Sequence, residues 1–134
     1  MIVTNILSEL QKGEKANPGV LNWYGNINGD ELYLSVLVLG EIRQGIERLR
    51  RRDPEQAARL EQRAVVIQSK MTDRVLPIST AIAEHWGINN VPDALPVIDG
   101  LLAATAIEHD LTLVTRNIRD VKRSGVRLLN PFSA

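Results

Sequence analysis

PVIDGLLAATAIEHDLTLVTRNIRD, residues 96–120, decides the fold. Val97, Ile98 and the run Leu101 to Ala104 predict a helix over 97–109 that is apolar on nearly every side, and hence a central one. Asp99 falls in its first turn, and a short loop leads to a predicted strand at 111–114. That strand ends in the polar cluster Thr115, Arg116, Asn117 and Asp120. Parallel α/β sheets present ligand chemistry at the carboxyl ends of their strands. An acid at a helix start and polar groups at a strand end therefore face one crevice.

Outward from this stretch the elements alternate in the α/β manner. Residues 1–3 read as a short strand, followed by a first helix near 6–11. Asn17-Pro18 is a cap with proline at the first helical position, opening an amphipathic helix to about Ile27. A strand is expected at 31–34. Ser35 then caps a long helix to about Arg51, with Leu39, Ile42, Ile46 and Leu49 at helical spacing. Asp53-Pro54 repeats the cap-plus-proline signal and starts a helix to about Lys70, so the two long helices form an αα-hairpin. Further expectations are a strand at 75–76, a helix from a Ser79 cap to about Trp86, a loop at 89–96, a turn or short helix near 117–123 and a last strand at 126–129. No repeat or linker interrupts the pattern, and one domain over 1–134 is expected: a three-layer α/β fold, a mostly parallel central sheet flanked by helices, with a protruding αα-hairpin.

The composition narrows the chemistry. Apolar residues make up 44% and charged residues 24%, as in a globular chain, while aromatics at 4% leave the core to aliphatic side chains. The chain has no cysteine, which excludes disulfides, thiolate metal sites and a cysteine nucleophile. No apolar run approaches a bilayer span, and no signal peptide is read at Met1, so a cytoplasmic location with no membrane partner is expected. Sixteen basic residues balance sixteen acidic ones, so any polyanion must be held by a local patch. The densest cluster, Arg48, Arg50, Arg51 and Arg52 with Arg43 before it, reads first as a solvated helix end complementing the macrodipole and second as an RNA site.

Glu41 is a further candidate. Its helical neighbours Leu37, Val38, Gln44 and Gly45 include no cation, so pairing must come from elsewhere or from a metal. Alone, Glu41 reads as an exposed helix residue, Asp99 as a dipole-favoured acid, and Asn117 and Asp120 as turn caps. Together, oxygen ligands from separate elements suit a hard cation such as Mg²⁺, and phosphodiester hydrolysis is the chemistry such a site supports. Gly100 beside Asp99 suggests close backbone approach or ligand access. His85 and His109 lack metal-ligand spacing and read as surface or helix-end residues. Ser8, Ser35 and Ser79 read as helix-start residues, and no GxSxG or phosphate-loop motif is present. A phosphatase-like or nucleotide-binding domain would want glycines after the first strand, and residues 4–9 contain none.

The segments TNILSEL (4–10), LYLSVLVLGEIRQGIERL (32–49), LPVIDGLLAATAIEHDLTLVTRN (95–117) and GVRLLNP (125–131), in this order, resemble the PIN-domain ribonucleases and in particular the VapC-type toxins of VapBC toxin–antitoxin pairs. The resemblance implies a Mg²⁺-dependent endoribonuclease (Mn²⁺ substituting) that cuts transfer or ribosomal RNA, forms a homodimer and is inhibited by a VapB-like antitoxin. By position, Glu41 and Asp99 match two family acids. Asn117 stands where many relatives have Asp, with Asp120 nearby as a substitute, so Glu41, Asp99, Asn117 and Asp120 are the catalytic candidates. Glu41, Asp99 and Asp120 are the metal candidates, and Thr4, Asn5 and Thr115 match supporting polar positions.

The chain departs from the family pattern at its start. Relatives read Asp-Thr-Asn after the first strand, whereas this chain reads Val3-Thr4-Asn5. Either Val3 replaces the aspartate or a Leu-Asp pair is missing between Val3 and Thr4. A two-residue loss would preserve strand alternation. The expectation is an impaired nuclease; the alternative is a catalytically inactive PIN-fold interaction module that docks partners on the hairpin. Leu21, Trp23, Tyr24 and Ile27 are read as core residues or as part of a groove for an antitoxin helix.

Overall fold

The computed structural model describes residues 1–132. Two parallel ladders form its sheet. β1 (Leu34–Ser35) pairs with β2 (Val75–Leu76), and β3 (Leu113–Val114) pairs with β4 (Leu128–Leu129). Residues 1–3 lie between the ladders and join them. The Ile2 amide donates to the Tyr33 carbonyl at 3.1 Å on one side. On the other, Ile2 forms a parallel bridge with Val114, the Val114 amide donates to Met1 O at 2.8 Å, and the Val3 amide donates to Val114 O at 3.3 Å. The resulting order is β2, β1, the N-terminal segment, β3, β4. The parallel sheet expected from the alternating pattern is present, with ladders shorter than the apolar runs that signalled them.

Among the described residues six α-helices fill the connections: α1 (Thr4–Leu10), α2 (Pro18–Gly25), α3 (Val36–Arg50), α4 (Pro54–Lys70), α5 (Thr80–Asn89) and α6 (Val97–Glu108). The predicted caps form as read. Asn17 Oδ1 accepts from the Gly19 and Val20 amides, and Ser35 Oγ from the Leu37 amide at 3.1 Å. Asp53 Oδ1 accepts from Gln56 N at 3.1 Å and Ser79 Oγ from Ile82 N at 3.2 Å. Each satisfies a helix-start donor that would otherwise lack an intrahelical partner.

Several boundaries differ from the sequence expectation. The first helix starts at Thr4 instead of residue 6, because the chain turns directly out of the sheet at Val3. Gly29–Glu31 forms a 3₁₀ turn held by Asn28, so the strand expected at 31–34 moves to Leu34–Ser35. The helix expected to stop near Trp86 continues to Asn89, since Gly87 does not break it. Only Lys122–Ser124 of the expected 117–123 turn is helical, as a 3₁₀ turn.

α3 and α4 pack against each other as the expected hairpin, and α5 packs along α6. The core gathers Ile2, Ile6, Leu34, Val38, Leu102 and Leu113 from the sheet and the helices on both faces. Trp23 packs against this core, while Tyr24 remains exposed. α6 is the central helix expected, with Gly100 and residues 102–106 buried. It ends in a Schellman-type turn: Leu111 N donates to Ala106 O at 2.7 Å and Asp110 N to Ile107 O at 3.1 Å. Asp110 takes the left-handed conformation (φ 56°) this stop requires. The tight reversal brings α6 straight into β3.

Gly100 serves packing. A Cβ there would stand 3.1 Å from Trp86 Cδ1 and 3.4 Å from Leu95 Cβ. Gly100→Val forces the indole away from α6 and is expected to destabilise the fold by about 1–3 kcal/mol. Thermal or urea unfolding of the variant checks this, and unchanged stability would contradict the close α5–α6 packing.

Candidate active site

The topology brings the starts of α1, α3 and α6 to one end of the sheet. α1 and α3 leave the carboxyl ends of the N-terminal segment and β1, and α6 runs back against the sheet before β3. Thr115, following β3, sits at the same end. The sequence candidates therefore converge from four separate stretches of chain.

Thr4 is the first residue of α1, and its Oγ1 donates to Glu41 Oε1 at 2.6 Å, tying α1 to α3. Glu41 forms no salt bridge among the described residues, as its helical neighbours predicted. Beside this pair lies a crevice of about 240 Å³, lined in part by Ser8, Gln11, Gly45 and Leu60. Gln11 and Leu60 were not anticipated from the sequence; a polar residue one turn after Ser8 on the α1 face was the available signal for Gln11, and nothing local marked Leu60. Ser8, read as a helix-start residue, lies in the fifth position of α1 and faces this crevice.

Asp99 occupies the third position of α6, behind Pro96, which supplies no side-chain cap. Burial raises its carboxyl pKa above the usual aspartate value, and the negative charges of Asp120 and then Glu41 push it further up. The three acids thus act on one another through space. No cation neutralises them among the described residues.

Thr115 is buried, and its Oγ1 accepts from the Asn117 amide at 3.0 Å, shaping the turn after β3. The Asn117 side-chain amide donates to Asp120 Oδ2, which fixes the carboxylate. Asn117 thus holds Asp120 in place. Asn5 Oδ1 accepts from the Arg116 amide at 3.4 Å, closing the turn against α1. The Arg116 guanidinium lies over the Phe132 ring, 4.7 Å from its centroid, and forms no salt bridge with the acids. Val3 precedes this constellation as the N-cap of α1. Its side chain is buried in the core and makes no cap bond.

The donors are oxygens, as a hard divalent cation requires. No three Asp, Glu or His side chains among the described residues are gathered tightly enough to enclose an ion directly. A hydrated Mg²⁺ is commonly held through one or two carboxylates and its own waters, which needs no such enclosure. The histidines stay apart from this chemistry. His85 Nδ1 lies 3.9 Å from Glu108 Oε2, and His109 is the C-cap of α6.

A profile of the PIN domain family matches residues 1–124. The chain belongs to the PIN domain family. Toxin FitB of Neisseria gonorrhoeae is 26% identical over 139 residues, covering 98% of this chain and 97% of that protein. VapC ribonuclease Y4jK of Sinorhizobium fredii is 28% identical over 142 residues, covering 96% and 94%. The crystal structure of FitAcB from Neisseria gonorrhoeae superposes with a TM-score of 0.84 at 26% identity, over 97% of this chain and 96% of that one. The sheet order, hairpin and central helix are thus those of a PIN domain.

The raised pKa of Asp99 is a stability statement. A carboxyl that titrates higher in the folded than in the unfolded chain penalises folding above its folded pKa, and the penalty fades as pH falls below it. Asp99→Asn is therefore expected to stabilise the protein at pH 7, by less than about 1 kcal/mol because the group is partly solvated. The gain shrinks toward zero as the pH is lowered through the Asp99 pKa. Thermal melts at pH 7 and pH 4 check this; equal or lower stability at pH 7 would contradict the burial and repulsion that raise the Asp99 pKa.

Proposed function

We propose that this chain is the toxin of a type II toxin–antitoxin pair: an endoribonuclease of the cytoplasm that uses Mg²⁺, with Mn²⁺ able to substitute, and is inhibited by a VapB-like antitoxin. The observation that carries the proposal is the convergence of Glu41, Asp99 and Asp120, with no cation paired to them among the described residues, at the carboxyl end of a parallel sheet. Electrostatic repulsion in an unneutralised acidic site is relieved when a divalent cation or a cationic side chain enters it. The names of the relatives, a toxin and a ribonuclease, point the same way.

Glu41, Asp99 and Asp120 would hold the cation. When bound, it supplies charge neutralisation at the phosphate and lowers the pKa of water. The chain's own groups orient the site. Thr4 fixes one Glu41 oxygen, and Glu41 lines the crevice beside it. Asn117 fixes Asp120, and Asn5 and Thr115 hold the turn that carries Asn117. The antitoxin would occupy the crevice with a basic side chain. A homodimer would cover the exposed Ile88, Val91 and Val97 around the α5–α6 connection.

Val3 favours a second possibility, a PIN fold retained for protein interaction with little catalysis. A buried valine offers no ligand where the family pattern has an aspartate. Our proposal is that the nuclease is impaired for this reason. The comparison is Mg²⁺-dependent RNA cleavage by this chain and by one carrying Leu-Asp between Val3 and Thr4. At least a tenfold faster cleavage by the restored chain is expected. Equal, robust cleavage by both would sink the impairment, and no cleavage by either, with no Mg²⁺ binding, would overturn the nuclease.

A further inference from the structure

The α3–α4 hairpin concentrates charge that the rest of the protein does not share. Residues 43–63 carry seven arginines and four acids in a chain of zero net charge. The pairing within this segment is uneven. Arg43 and Arg50 are taken up by Glu47 within α3 and by Glu61, which cross-links α4 to α3: Arg50 Nη2 lies 2.9 Å from Glu61 Oε2, Arg50 Nε 3.0 Å from Glu47 Oε1, and Arg43 bonds both acids. Asp53 is used as the α4 cap. Arg48, Arg51, Arg52, Arg59 and Arg63 are exposed and enter no salt bridge or side-chain hydrogen bond among the described residues.

These five do not sit on one helix end. Macrodipole complementation accounts for Arg48 and Arg51 at the end of α3, but Arg59 and Arg63 lie in the middle of α4. Arg59 and Arg63 line an open groove of about 500 Å³ that ends at Gln11. Gln11 also lines the crevice beside Glu41. The hairpin tip is ten residues of helix from Glu41, about 15 Å at the helical rise. A basic track thus runs from the tip along α4 to the edge of the acidic site.

We propose that this track is a binding arm for the phosphate backbone of single-stranded RNA. Charge complementarity selects the occupant: exposed guanidiniums with no carboxylate partner suit phosphate oxygens. Residues 43–63 contain no aromatic side chain on which bases could stack. The arm therefore grips the backbone without reading sequence, and places the strand across the crevice. The proposal rests on the nuclease function above and adds to it how substrate is held.

The test is equilibrium binding of a short, labelled single-stranded RNA of mixed sequence, in EDTA so that nothing is cut, over a series of salt concentrations. The variants are Arg51→Gln with Arg52→Gln, and Arg59→Gln with Arg63→Gln; none of the four side chains holds the hairpin together. Each pair is expected to weaken binding by about tenfold or more at low salt and to reduce the slope of log affinity against log salt by about 0.7 for each phosphate no longer neutralised. Lys15→Gln, outside the hairpin, leaves both unchanged. Wild-type affinity and slope in both arginine pairs, or no RNA binding by the wild-type chain, would overturn the arm and leave the hairpin as a solvated or protein-docking face. Cleavage by the Leu-Asp chain is scored separately, so loss of the nuclease and loss of the arm are distinct results.

Discussion

The position of residues 1–3 between the two ladders is the constraint on which the rest of this molecule depends. β1 pairs with β2 and β3 with β4, and the backbone bonds of Met1, Ile2 and Val3 to Tyr33 and Val114 are what join the halves. Ile2, Leu34 and Leu113 are all buried as a result, and helices from both halves close on one core. The same three residues deliver Thr4 to the carboxyl end of the sheet. Its bond to Glu41 then ties the first helix to the third.

That geometry sets a conflict between stability and chemistry. Glu41, Asp99 and Asp120 come to one end of the sheet with no cation paired to them among the described residues, and burial first, then the charges of Asp120 and Glu41, raise the Asp99 pKa. Functional sites commonly hold such unfavourable charge because the fold around them is rigid enough to bear it. Here rigidity comes from the close approach of Trp86 to Gly100 beside Asp99 and from the Asn117 bond to Asp120. Val3 works in the opposite sense: at the same sheet end it adds apolar burial and contributes no carboxylate.

Much of this was legible in the sequence because it is written in local signals. Cap-plus-proline pairs at Asn17 and Asp53 marked two helix starts to the residue, and Ser35 and Ser79 marked two more. The apolar run after Asp99 announced a buried helix, and the absence of cations around Glu41 announced an unpaired acid. What escaped was set by tertiary contact. The first helix begins early because the chain leaves the sheet at Val3, and Gly87 does not end α5 because that helix packs along α6. Gly100 read as allowing either close approach or ligand access; the structure shows close approach, by Trp86, a partner that no local pattern encodes. The crevice roles of Gln11 and Leu60 depend on how α1 meets the hairpin. The uneven pairing of the arginines became visible only when Glu47 and Glu61 were seen to engage just two of them.

The central claim is that three acids drawn together at one sheet end form the seat of a divalent cation. A crystal structure of the chain grown with Mn²⁺, with anomalous scattering used to locate the metal, tests it most directly. The account predicts one or more Mn²⁺ peaks among the Glu41, Asp99 and Asp120 carboxylates, completed by water, with Val3 making no contact. A crevice free of Mn²⁺ at saturating metal, or Mn²⁺ bound only to acids elsewhere, would contradict it.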